Sequence, residues 1–139
     1  MATVFDRMPA PNAAIERYGA LLAQQINEAV VVPFRQVNLG EWTPELNKCH
    51  HNVAAWIESN PHHWQVLGWL VVAAPNSDYI RFVAHSVVED DTGNRFDITP
   101  LNATGPRPFL EAGIDGDDFF WIEEKLLEVY PMSGFDHFI

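Results

Sequence analysis

The chain has 139 residues, 47% of them hydrophobic and with five Trp and nine Phe, which suits one packed domain (1–139) and not a disordered segment. Eight Lys and Arg stand against 19 Asp and Glu; the net charge of −11 repels phosphate backbones and argues against nucleic-acid binding. No apolar run reaches the roughly 20 residues of a membrane-spanning helix, and the start Met-Ala-Thr-Val-Phe-Asp-Arg lacks the basic head and apolar core of a signal peptide.

The acidic balance favours a basic peptide or protein as partner, although acidity alone also serves solubility. Cys49 is the single cysteine, so no disulfide can form within the chain. A free thiol suits a reducing compartment, and the expected localisation is cytoplasmic, with export by a route that needs no cleaved signal left open.

In chain order, Pro11-Asn12 opens a helix with Asn12 as its N-cap, and Ile15, Tyr18, Leu22, Ile26 and Val30 recur at helical spacing before Pro33. Residues 34–42 read as loop or short strand. A second helix follows and ends at Pro61. Thr43 could cap it with Pro44 at its first position, or Asn47 could cap a later start. Either way Cys49, Val53, Trp56 and Ile57 share a face. The later start puts Cys49 in the first turn, where free N–H groups and the helix dipole stabilise a thiolate.

Residues 64–74, 79–89 and 94–99 read as three strands, separated by turns at 75–78 and 90–93. They are too close together for crossover helices, so their pairing is expected to be antiparallel. Loop covers 100–116. Asp117 or Asp118 then caps a last helix to about Tyr130, with Phe119, Ile122, Leu126 and Val129 on its inner side. The pattern is α+β.

Cys49, His85 and Asp97 occur in the order of a nucleophile, its base and the group that orients the base. The 90–93 hairpin tests whether the last two can meet. A three-residue loop, 91–93, with Gly93 in the left-handed region pairs Asp90 with Asn94 and Val87 with Asp97. His85 is then the diagonal neighbour of Asp97 on the same face, about 7–8 Å away between backbones. A two-residue loop would put them on opposite faces. Val83 and Val87 share the His85 face, and Phe82, Ala84, Val88, Phe96 and Ile98 form the other. The Cys49 helix is expected on the His85 side and the terminal helices on the opposite side.

This ordered set resembles the catalytic core of the transglutaminase-like branch of the papain-like superfamily. The resemblance covers about residues 45–100 and rests on four short features. A cysteine opens a helix, Gly68-Trp69 lies on the first strand, His85 is followed by Glu89, and Asp97-Ile98-Thr99 follows on the next strand. It implies a nucleophile helix packed on an antiparallel sheet of at least three strands with flanking terminal helices. It also implies a Cys49-His85-Asp97 triad acting on an amide bond as a peptidase, deamidase or transglutaminase-like enzyme. Where the pattern has an aromatic residue shortly after the histidine, this chain has Ser86-Val87, and no tryptophan adjoins Cys49.

An oxyanion hole needs the Cys49 N–H and a second donor, for which Gln36, Asn38 and Asn47 are the upstream amides. Trp42 and Trp69 could wall a cleft, although core packing is their default role. His50, His51, His62 and His63 beside Cys49 raise a zinc reading, but no pair has closed-site spacing. They read better as a solvated helix face and a loop pair. Neither metal nor cofactor is expected, and the substrate is expected to be a peptide or protein. A non-enzymatic acidic protein-binding domain that retains this fold is the alternative.

Overall fold

The computed structural model describes residues 7–73, 76–100 and 106–139. The signal-peptide reading of the first residues, and the parts of the predicted strand, turn and loop at 74–75 and 101–105, lie outside the described residues.

Helix α1 (Ala13–Gln24) starts as its sequence predicts: Asn12 Oδ1 accepts the Ile15 N–H at 3.0 Å, and Ile15, Tyr18 and Leu22 are buried. It ends before Ile26, where a single 3-10 turn (Ile26–Glu28) leads into extended chain. The helical period carried the expected helix on to Val30, but Val30-Val31-Val32 is β-branched and favours extended backbone. Val30 pairs antiparallel with Phe109 through two hydrogen bonds of 3.0 and 2.7 Å.

Strand β1 (Trp64–Val72) pairs antiparallel with β2 (Tyr79–Glu89) along its whole length, placing Gly68 opposite His85. Strand β3 (Arg95–Phe96) pairs with the end of β2, β4 (Phe109–Glu111) pairs with β1, and β5 (Gly134–Phe138) pairs with the start of β2. The result is an antiparallel five-stranded sheet. The loop expected over 100–116 holds β4, and β5 lies beyond the last expected element. Both are short, and β4 sits among prolines, so neither shows a long alternation.

Helix α2 (Cys49–Ser59) and helix α3 (Gly116–Val129) complete the α+β fold. Asp115, not Asp117 or Asp118, caps α3, its Oδ1 accepting the Asp118 N–H at 2.9 Å. Phe119, Ile122 and Leu126 face inward as expected, whereas Val129 is exposed.

All three helices cover one face of the sheet. Residues from α1 and α3 pack with Trp69, Val71, Phe82, Ala84 and Phe135, and Val53 of α2 packs with Val88, Phe96 and Ile98. The expectation that α2 lies on the His85 side is therefore wrong. The side chains it must bury against belong to the Val88 face, and the opposite face is filled by Val66, Val87 and Phe109 with Val32 and Leu70. Gly68 permits that filling, because a Cβ there would collide with the Phe109 ring and the Leu110 carbonyl.

Two polar links sit in the core. Trp69 Nε1 donates to Tyr18 Oη at 2.8 Å, and Tyr18 Oη donates to the Ala112 carbonyl at 2.6 Å. Arg81 on β2 forks onto Asp136 on β5 at 2.7 and 3.0 Å, and the Met8 N–H bonds the same carboxylate at 2.9 Å.

Candidate active site

The far edge of β2 is shared. The β5 ladder ends at Val83 and the β3 ladder begins at Val88, leaving Ala84 to Val87 between them without a strand on that side among the described residues. The N-terminus of α2 reaches this gap. A cavity of about 860 Å³ opens there, lined by Cys49, His50, His85, Asp97, Arg107 and Glu123 among others. Cys49 thus approaches His85 around the sheet edge, although its helix packs on the other face.

The start of α2 is Cys49 itself. Lys48 occupies the cap position with no side-chain hydrogen bond, and Asn47, expected as the cap, has φ 63°, a left-handed conformation incompatible with capping. The segment is held instead by buried Asn52, whose Oδ1 accepts the Glu45 N–H at 2.9 Å. Its Nδ2 donates to the Glu45 carbonyl at 2.8 Å and to Thr99 Oγ1 at 3.0 Å. No cap side chain competes for the N–H groups of the first turn, so they point toward the cavity end of the helix.

The hairpin has the three-residue loop. Gly93 has φ 86°, the Asp90 N–H bonds the Asn94 carbonyl at 2.9 Å, and Val88 pairs with Phe96. His85 and Asp97 consequently share a face, and the ring Nε2 meets Asp97 Oδ2 at 2.6 Å. Asp97 Oδ1 accepts the Thr99 N–H at 3.0 Å. Its backbone N–H bonds Pro33 O at 2.8 Å, and its carbonyl accepts the Arg35 N–H at 2.9 Å. The carboxylate is therefore held at both oxygens, and its backbone is anchored on both sides. With Nε2 committed to Asp97, Nδ1 is the ring nitrogen left for the thiol, which lies close enough to raise the His85 pKa.

A second imidazole also meets the thiol. His50, the next residue in α2, contacts Cys49 and holds Ser86 Oγ with Nδ1, while its Nε2 pairs with Glu123 Oε2 of α3 at 2.7 Å. Its ring stands edge-on to Phe119 and Phe120. His50 is thus not on a solvated helix face as expected, and Glu123 joins the site from a helix the sequence pattern did not connect to it. The available signal was the adjacency of His50 to Cys49 in a first helical turn, but its partner lies on another helix.

Burial pushes the Cys49 thiol up, yet the hydrogen bonds and positive charges of His50 and His85 outweigh it and bring the thiol down to about 6. Burial likewise opposes charge on His85, but Asp97 and the thiolate raise it to about 9. His50 is raised to about 9 against its burial by the thiolate and Glu123. Between those values the site holds a thiolate flanked by two imidazolium rings, each backed by a carboxylate.

Of the other residues singled out in the sequence, Asn47 lines the cavity, whereas Gln36, Asn38, Trp42 and Trp69 do not. Trp69 is wholly buried on the helix-covered face. Glu89 is engaged by Arg95 at 2.9 Å. His63 accepts from Trp56 Nε1 at 3.1 Å, away from Cys49. Among the described residues no cluster of His, Cys, Asp and Glu is arranged to hold a metal ion, and no helix is long and apolar enough to cross a membrane. Neither a family model, nor a curated protein, nor a solved structure matches the chain.

Proposed function

We propose that the protein is a cysteine-dependent hydrolase or acyltransferase acting on amide bonds, built on a papain-like, transglutaminase-like core. The observation that carries this reading is the series Cys49, His85, Asp97 lining one cavity, with His85 Nε2 bound to Asp97 Oδ2 at 2.6 Å. A buried structural cysteine gains nothing from such a series, whereas a nucleophile requires it.

In the proposed reaction the Cys49 thiolate attacks the substrate carbonyl carbon, forming a C–S bond as the carbonyl electrons move to oxygen. The uncapped Cys49 N–H faces that oxyanion, and Asn47 is the nearby amide suited to be the second donor. His85 Nδ1–H gives its proton to the leaving nitrogen and the C–N bond breaks, leaving a thioester. His85, now neutral, takes a proton from water, whose oxygen attacks the thioester carbon and expels the thiolate. An amine in place of water gives transamidation. Asp97 keeps the ring oriented throughout.

The test uses p-nitrophenyl acetate. A burst of p-nitrophenolate and an acetyl group on Cys49 by mass spectrometry are expected, both absent in Cys49→Ala. Absence of a burst, with Cys49 alkylated by iodoacetamide only after unfolding, would overturn the proposal in favour of a non-enzymatic binding domain.

A further inference from the structure

The cavity contains one charge that the proposed chemistry does not use. Arg107 lines it beside the catalytic residues, and its Nε is buried with no hydrogen-bond partner among the described residues. A buried guanidinium N–H left unmade is costly and calls for an explanation.

The chain offers 19 carboxylates to eight basic side chains, so partners are plentiful. Arg7, Lys48, Arg81, Arg95 and Lys125 each have one within ion-pair distance. Arg17, Arg35 and Arg107 have none among the described residues, and of these three only Arg107 lines the cavity. The two carboxylates that line the same cavity are already committed, Asp97 to His85 at 2.6 Å and Glu123 to His50 at 2.7 Å. One thiolate and two carboxylates against two imidazoliums leave the site at −1, which the Arg107 guanidinium brings to zero while forming no ion pair with either carboxylate. Once a substrate carboxylate enters, Arg107 is the one cation there with a free fork to receive it.

We propose that Arg107 forms an anion subsite of this cavity, so that the amide substrate carries a carboxylate near its scissile acyl group. The inference rests on the Cys49 nucleophile proposed above and names the substrate class for it. The surface charge of −11 does not oppose this selection strongly. Exposed charges are screened over roughly 8 Å at physiological salt, whereas a group inside the cavity is governed by its near neighbours.

Two small reagents that differ mainly in charge test the subsite. Iodoacetate and iodoacetamide both alkylate a thiolate, and the ratio of their rates on one protein cancels the thiolate fraction. Arg107→Gln is expected to lower the iodoacetate-to-iodoacetamide ratio by about three- to tenfold, the scale of one unit charge acting within a partly enclosed site. Arg107→Lys should restore most of it, and Lys125→Gln, which removes a cation paired with Glu128 outside the cavity lining, should change it less than Arg107→Gln does.

A ratio equal in wild type and Arg107→Gln overturns the subsite while leaving the nucleophile standing. An equal fall in Lys125→Gln overturns it too, because the effect would then be a general field. Labelling by either reagent only after denaturation removes the nucleophile and the subsite together.

Discussion

Arg81 and His85 project from the same face of β2, and each meets a buried carboxylate, Asp136 and Asp97 respectively. The first pair is a closed structure. Arg81 makes two bonds to Asp136, the carboxylate also accepts the Met8 N–H, and a guanidinium never loses its proton at ordinary pH. It pins the N-terminal segment, β2 and β5 together. The second pair is left open on purpose of geometry: His85 spends one nitrogen on Asp97 and keeps the other for Cys49. The strand that pairs beside Arg81 ends at Val83, and the cavity lies next to His85 beyond it. Similar chemistry thus serves cohesion where the sheet edge is covered and, in the proposed mechanism, reactivity where it is not.

The largest expected effect separates the two pairs by readout. His85→Ala should lower turnover by about 10²–10⁴-fold, the usual worth of a positioned general base. Its stability should change by only about 1 kcal/mol, because cavity water can replace the lost hydrogen bond to Asp97. Thermal melts and p-nitrophenyl acetate turnover on the same preparation check both halves. A collapse of stability would make the His85 pair structural after all.

Arg81→Met should do the reverse. Breaking one side of a buried pair costs about 3–5 kcal/mol, read as a lower midpoint in urea. Below that midpoint the alkylation rate of Cys49 should stay near wild type. Asp97→Asn lies between the extremes. It removes orientation and charge but keeps the imidazole, so its loss of turnover should be smaller than that of His85→Ala, measured under the same conditions.

The smallest effect is a displacement along the pH axis. Cys49, lowered to about 6, must lose its proton, and His85, raised to about 9, must keep one. Turnover should therefore rise through about 6 and fall through about 9. His50→Gln removes a hydrogen bond and a charge that favour the thiolate, so the acid limb should move to higher pH while the alkaline limb is disturbed less. Thiolate absorbance near 240 nm, followed against pH, provides the check. An unmoved acid limb would show that His50 and Glu123 brace the helices without acting on the thiol.

The linear chain carried the local decisions. Asn12 capping α1, the apolar face of α2, the antiparallel β1–β2 pair and the three-residue hairpin all depend on contacts between near neighbours, whose rules a short stretch of residues obeys by itself. The hairpin also determined that His85 and Asp97 share a face, since parity along two strands joined by a tight loop is set by the loop length. Tertiary packing decided the rest. Which face α2 covers depended on Val53 finding Val88, Phe96 and Ile98, and the end of α1 depended on Val30 finding Phe109. The pairing of His50 with Glu123, the burial of Trp69 away from the cavity and the placement of Arg107 in it likewise join segments far apart in the chain. No periodicity encodes such meetings, because each is settled by how whole elements share the limited surface of one sheet.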